Sequence, residues 1–278
     1  MKQFRKMTYP YVVWISIMVV APMLLIVFYA FTRQGNSVTK IYFTLENFVE
    51  FVTDKDFMIV LGRSLKVALE TTVVCILIGY PVAYYIAKCS DGVKMRWVLL
   101  ITFPTWINML VRTYAWLGIL DDDGVINSFL GLLGLEPVHM IHTEFAVILG
   151  MVYNFLPFMI LQIYTSLAKM DRSLLEAANH LGASRSMAFL KITLPLSLPG
   201  VLSGITLVFL PAVSSFFIPK LLGGGQYIMV GNLIETQFIT SGDWNFGSAI
   251  SLVMVVIIMV SMYFTRKLDK TDIMERKD

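Results

Sequence analysis

The chain has 278 residues, 57% of them hydrophobic and only 15% charged, with a net charge of +3 and a mean hydropathy of +0.72. A soluble domain carries roughly 25% charged residues because its surface faces water, and this chain cannot cover a water-soluble globule of its size. A cytosolic enzyme, a disordered chain and a nucleic-acid binder built on a basic surface are excluded, which leaves a polytopic membrane protein.

Six windows reach or approach the roughly 20 apolar residues of a spanning helix: 11–31, 64–87, 97–120, 145–167, 199–219 and 248–264. Lipid offers no partner for a free backbone group, so the expected fold is all-α with six transmembrane helices. The first window is longer than the apolar stretch of a secretory signal and no small-x-small cleavage site follows it, so it reads as a retained span. In the connection 32–63, Phe48, Phe51 and Val52 beside Glu46 and Glu50 suit a short interfacial helix.

Span 2 carries Lys66 and Glu70 four residues apart, on one helix face. Cys75 and Cys89 would lie about 21 Å apart along a helix, beyond disulfide reach. Gly79-Tyr80-Pro81, Pro104, Pro157 and Pro211 interrupt spans 2 to 5. Such breaks are ordinary kinks or hinges at binding sites. Span 3 holds one charge, Arg112, and ends at Asp121-Asp122-Asp123-Gly124. Asp before Gly is a turn signal, and attraction of cations is a second reading of the three carboxylates. His139 and His142 form an H-x-x-H without a third ligand, too little for a metal site, and are expected to be solvated. No catalytic residue and no metal ligand is assigned.

The connection 168–198 is not featureless. Ser173-x-x-Glu176 is a capping-box pattern, Leu174, Ala178 and Leu181 make one apolar stripe, and Gly182 suits the position just past a helix end. Ser184 can start a second helix, which is expected to stop before Pro195. The stripe docks either on the chain's own spans or in a groove on a partner, and Ala177 with Ala178 would let another backbone approach closely.

Lys and Arg set the orientation. The N-terminus, the 2–3 and 4–5 connections and the C-terminus together carry fifteen, against five on the other side. Both termini are therefore expected in the cytoplasm. The outer connections hold eleven Asp and Glu, a net −6, which would concentrate cations there or carry no message.

Glu176-Ala177-Ala178, three residues, Gly182, nine residues and Ile192-Thr193-Leu194-Pro195 together resemble the EAA loop of ABC-importer permeases. Pro104-Thr105-Trp106, Arg112-Thr113-Tyr114-Ala115-Trp116, Leu156-Pro157-Phe158, Pro199-Gly200, Leu222-Gly223-Gly224 and Gly231…Gln237-Phe238…Asp243-Trp244 resemble the spermidine/putrescine permeases, in particular the PotB-like subfamily. Related permeases for other small solutes share parts of these motifs, so another solute is an alternative. The resemblance implies a type I ABC-importer permease fold. Spans 2–6 would form a core over 64–265 containing the loop 168–198. Residues 1–63 would carry a span that wraps a neighbour, and 266–278 a cytoplasmic tail. It implies a homologous (PotC-like) permease partner, two ATPase subunits, an extracytoplasmic substrate-binding protein and a bacterial inner-membrane location. ATP and Mg would bind the partners: this chain has no G-x-x-x-x-G-K-[ST], and Gly223-Gly224-Gly225 lacks the lysine.

On that resemblance Glu176, Ala177, Ala178, Leu181 and Gly182 are the residues expected to couple to an ATPase. Glu176 would cap its own helix or pair with a basic residue of the ATPase. Glu70 would pair with Lys66 or offer an anionic contact to a cationic solute. Arg112 would repel a polyamine, so it is expected to face away from the pathway, paired with Glu70 or a backbone carbonyl. Trp106, Tyr114, Trp116, Phe216 and Phe217 could hold ammonium groups by cation–π attraction or simply pack, and Asp121 could draw cations to the mouth. From another class, an ion-coupled secondary transporter would need an ion site, and only Glu70 and Arg112 lie deep in the spans.

Overall fold

The computed structural model describes residues 2–33 and 42–274. Lys40 of the outer connection and the last four residues of the tail lie outside the described residues. The described chain is helical, with one isolated bridge between Thr32 and Phe43. In chain order the helices are α1 (Lys2–Ala30), α2 (Glu46–Thr53), α3 (Lys55–Lys88), α4 (Asp91–Thr102), α5 (Met109–Leu120), α6 (Val125–Leu132), α7 (Glu144–Ala168), α8 (Arg172–His180), α9 (Arg185–Ala188), α10 (Leu194–Ser214), α11 (Phe217–Leu222), α12 (Val230–Glu235) and α13 (Trp244–Met274).

Five stretches are long and apolar enough to cross a membrane: Thr8–Ala30, Lys55–Lys88, Glu144–Ala168, Arg185–Ser214 and Trp244–Tyr263. The window 97–120 is not one helix. A 3₁₀ turn at Phe103–Trp106 ends α4, and Asn108 starts α5 afresh by accepting the Leu110 N–H at 2.8 Å. Pro104 removes a backbone donor and Asn108 supplies a new cap, so the stretch is made of two 12-residue helices. The window 199–219 is displaced: α10 begins at Leu194 and ends at Ser214, and Phe216 and Phe217 belong to the next turn and α11. The helix after the glycine bend does not stop before Pro195. A π turn at Phe189–Thr193 takes it into α10, with the Leu194 N–H donating to Phe189 O. The wider turn moves carbonyls away from the proline ring, which would clash in a regular α-helix. The last span starts at Trp244, earlier than 248, and its helix continues to Met274.

α3, α7 and α10 form the core, with α13 against α10. Ala68, Cys75 and Ala83 of α3, Met151, Met159 and Ile163 of α7, and Val208 and Ala212 of α10 are buried. Glycine sets the closest approach. A Cβ at Gly200 would lie 2.5 Å from Ser166 Cβ and 2.7 Å from Gln162 O. One at Gly204 would lie 2.5 Å from Met159 Sδ. α1 packs chiefly on α13, and of its apolar stretch Thr8–Ala30 only Ala30 is buried. Its C-terminal end is tied by Asn245, which donates to Tyr29 O and Thr32 O, and by Asn47, which donates to Ala30 O and Thr32 O.

Candidate functional site

The loop after α7 folds as helix, glycine bend and helix. α8 is started by Asp171, whose carboxylate accepts the Ser173 N–H at 2.9 Å, and not by Ser173. A cap must lie outside the helix, and Ser173 lies within its first turn. Hydrogen bonds from Ser173 hold the Asp171 carboxyl below the usual carboxylate range. Glu176 therefore belongs to no capping box of its own helix. The end of α8 is a Schellman motif: the Gly182 N–H donates to Asn179 O and the Ala183 N–H to Ala178 O, both at 3.0 Å. Gly182 has φ +78°, the left-handed conformation that favours glycine. Ser184 then caps α9 by accepting the Met187 N–H at 3.3 Å.

The apolar stripe divides. Ala178 is 9% exposed and faces the chain's own body, whereas Leu181 is 89% exposed and Leu174 44%. Ala177 and Glu176 are exposed. Glu176 also lines a cavity of about 300 Å³ between α8 and the ends of α3 and α7, together with Lys88, Lys94, Tyr84 and Asn179. The loop thus offers two leucine side chains and a carboxylate outward, on a helix fixed at both ends.

The residues expected along a pathway do not converge on one point. Tyr114 of α5 stands 6.4 Å from Phe217, and Phe217 stands 6.5 Å from Phe216, ring centre to ring centre. Trp116 packs edge-on at 5.4 Å against Tyr153 of α7. Trp106, 73% exposed at the break in span 3, meets Phe103. Asp121 is exposed at the end of α5, where its backbone carbonyl accepts the Gly124 N–H and the Asn127 amide. Glu70 lies 3.6 Å from Lys66, whose ammonium is also 2.6 Å from Glu144.

Arg112 departs from expectation. It pairs with neither Glu70 nor a carbonyl: its guanidinium lies 6.0 Å from the centre of the Tyr153 ring, and Nε and Nη1 are buried without a hydrogen-bond partner. Glu70 is already engaged by Lys66, and the fresh start of α5 at Asn108 turns Arg112 toward α7 together with Trp116, one turn on. Of the two histidines, His139 is exposed as expected and meets Asp122 at 2.8 Å, and only His142 departs. His142, at φ +61°, is half-buried with its ring against Gly224, which has no Cβ to obstruct it. No group of three metal-ligating side chains occurs among the described residues.

Sequence reasoning passed over an aromatic cluster. Phe189, the first residue of the π turn, stands edge-on to Tyr80 at 5.9 Å and to Tyr84 at 5.3 Å, both on α3. The Tyr80 hydroxyl shares a 2.8 Å hydrogen bond with Ser197 Oγ of α10. Tyr80 and Tyr84 stand four residues apart on one helix face, the signal that could have drawn attention to them.

Residues 3–271 match the family model of binding-protein-dependent transport system inner membrane components. The spermidine/putrescine transport system permease protein PotB of Escherichia coli is 38% identical over 256 residues, covering 90% of this chain and 93% of that protein. The PotB protein of Haemophilus influenzae is 35% identical over 272 residues, covering 96% and 95%. Among solved structures, a chain of a bacterial alginate ABC transporter in complex with an alginate pentasaccharide-bound periplasmic protein superposes with a TM-score of 0.76 over 97% of this chain and 94% of that one, at 18% identity. That last likeness concerns the fold.

Proposed function

The chain belongs to the family of binding-protein-dependent transport system inner membrane components, and from that premise we propose that it is the permease subunit of an ATP-driven importer of polyamines. The substrate class rests on one observation: identity of 38% across nine-tenths of the chain to a spermidine/putrescine permease. Both termini lie in the cytoplasm in this reading, as the Lys and Arg distribution requires.

The chain works with a second, homologous permease subunit (PotC-like), two ATPase subunits and an extracytoplasmic binding protein. ATP and Mg bind the ATPases. ATP closes the two ATPases on each other, and α8 is carried with the ATPase that grips it. Leu174, Leu181 and Ala177 face outward and supply the gripped surface. Ala178 and the Schellman turn at Gly182 hold that surface rigid against the chain's own body. The permease pair then alternates between inward-open and outward-open states, and hydrolysis resets it.

The test is ATP hydrolysis by the complex that co-purifies with a tagged copy of this chain, with and without spermidine and its binding protein. Hydrolysis that rises with loaded binding protein is the expected result. Absence of any co-purifying ATPase overturns the permease reading. Hydrolysis that ignores spermidine and putrescine overturns the substrate class alone.

A further inference from the structure

We propose that Phe189 is the positioning residue through which movement of the coupling loop reaches span 2, by way of Tyr80 and Tyr84. The inference rests on the permease reading above and extends it to a residue outside the EAA motif.

Below the π turn, α10 is locked to α7. The glycine contacts at Gly200 and Gly204 leave no gap, and Ser166 Oγ donates to Leu196 O at 3.3 Å. α10 cannot slide along α7 without driving backbone into backbone. The part free to respond to a pull on α8 is therefore the segment before α10: α9 and the π turn. A π turn departs from the regular α-helical ladder and recurs at functional sites. Phe189 is its first residue.

The ring of Phe189 meets two rings that are one helical turn apart on α3. It is perpendicular to Tyr80 (90°) and nearly so to Tyr84 (78°), the edge-to-face arrangement that aromatic pairs favour. Both partners are held from elsewhere. Tyr80 is bonded to fully buried Ser197, and the Lys88 ammonium lies 3.9 Å from the centre of the Tyr84 ring. A displacement of Phe189 is thus passed on to α3.

It is passed on where α3 bends most easily. Tyr80 precedes Pro81, which has no N–H to give the helix ladder. Gly79 sits against Met159 and Ile160 of α7, where a Cβ would come within 3.1 Å. The segment 79–81 is weak in bending and closely supported from behind, which is how a hinge is built. Phe189 is in place to drive it.

The complex is reconstituted in proteoliposomes with its ATPases and loaded binding protein, and uptake and hydrolysis are measured together. Phe189→Ala is expected to co-purify with the ATPases and hydrolyse ATP while uptake per ATP falls roughly tenfold, within the range of an allosteric coupling. Phe189→Tyr, which keeps the ring edge, restores the parental ratio, as does Tyr84→Phe on the other side. A Phe189→Ala complex with the parental uptake per ATP overturns the inference alone. A Phe189→Ala variant that fails to assemble, with Phe189→Leu assembling at the parental ratio, also overturns it, because bulk and not the aromatic contact is then what matters. A parental complex without ATP hydrolysis overturns the permease reading, and this inference with it.

Discussion

Lys66 of α3 places its ammonium 2.6 Å from the carboxylate of Glu144, which opens α7. The same ammonium lies 3.6 Å from Glu70, one turn further along α3. One cation thus serves two carboxylates and joins two of the three core helices at one end. Charge this near the apolar segment persists only when partnered or wetted, and here Lys66 is the partner.

The unequal distances lead to an ordered outcome. Glu144→Gln removes the closer contact between helices, and Glu70→Gln removes the longer contact within one helix. Thermal unfolding of the purified complex should show a lower Tm for Glu144→Gln than for Glu70→Gln. Lys66→Met, which strands both carboxylates, should be the least stable of the three. A Glu70→Gln variant less stable than Glu144→Gln would show that the bridge along α3 is the one that matters.

Much of the fold was legible because membrane spans obey a length and polarity rule that the chain meets openly. Windows 64–87 and 145–167 fall within the helices observed, and 11–31 overruns α1 by one residue, Phe31. The glycine bend at Gly182 and the cap at Ser184 were legible for the same reason: each needs a residue type at one position. Two features were not. Pro104 marks the interruption of span 3, but hydropathy is blind to a restart, so the fresh helix start at Asn108 within 97–120 was not legible. A proline rule written for α-helices stopped the second loop helix before Pro195, whereas a π turn carries it through. Which of the expected pathway residues meet, as Tyr114, Phe217 and Phe216 do, was not legible because periodicity places a side chain on a helix but gives no rotation of that helix against its neighbours. Arg112 shows this most clearly: it meets the Tyr153 ring rather than an acid.

Glycine contacts in the core predict a contrast between neighbouring positions. At Gly204 a methyl group would meet the Met159 thioether, a flexible side chain; at Gly200 it would meet Gln162 O and Ile163 Cα, which are backbone. Overpacking costs about 1–3 kcal/mol. Gly204→Ala should be tolerated better than Gly200→Ala, and Met159→Ala should partly relieve Gly204→Ala while doing nothing for Gly200→Ala. Chemical or thermal unfolding of the three single and two double variants checks this. Equal losses at both glycines would mean that the α7–α10 contact gives way as a whole.

The Asp171 cap carries a pH dependence. Its carboxyl is held below the ordinary range in the folded helix by Ser173, whereas in the unfolded chain it titrates near the usual value of about 3.9. A depressed acid contributes stability that is complete above the unfolded pKa and is lost as pH falls through the folded one. Amide-exchange protection across 172–180 should therefore stay level from neutral pH down to about 5 and decline only below about 4. Asp171→Asn, still a cap but without a proton to gain, should show a flat profile. The same acid decline in Asp171→Asn would assign it to another group.

Gly182 separates backbone conformation from space. Its φ of +78° is left-handed, and nothing lies within 4 Å of where a Cβ would stand. Any penalty for Gly182→Ala is then strain in the chain itself, about 1–2 kcal/mol for an L-residue in this conformation. Asn tolerates that conformation better than Ala, because its short polar side chain bonds locally. Uptake coupled to ATP hydrolysis should therefore rank Gly182 above Gly182→Asn above Gly182→Ala, with the alanine variant down by a factor of roughly five to thirty if the strain unwinds the Schellman turn. Crowding of the ATPase groove would give a different order, since Asn is larger than Ala and would be the worse substitution. The ranking of these two variants thus decides whether Gly182 serves the bend or the fit to a partner.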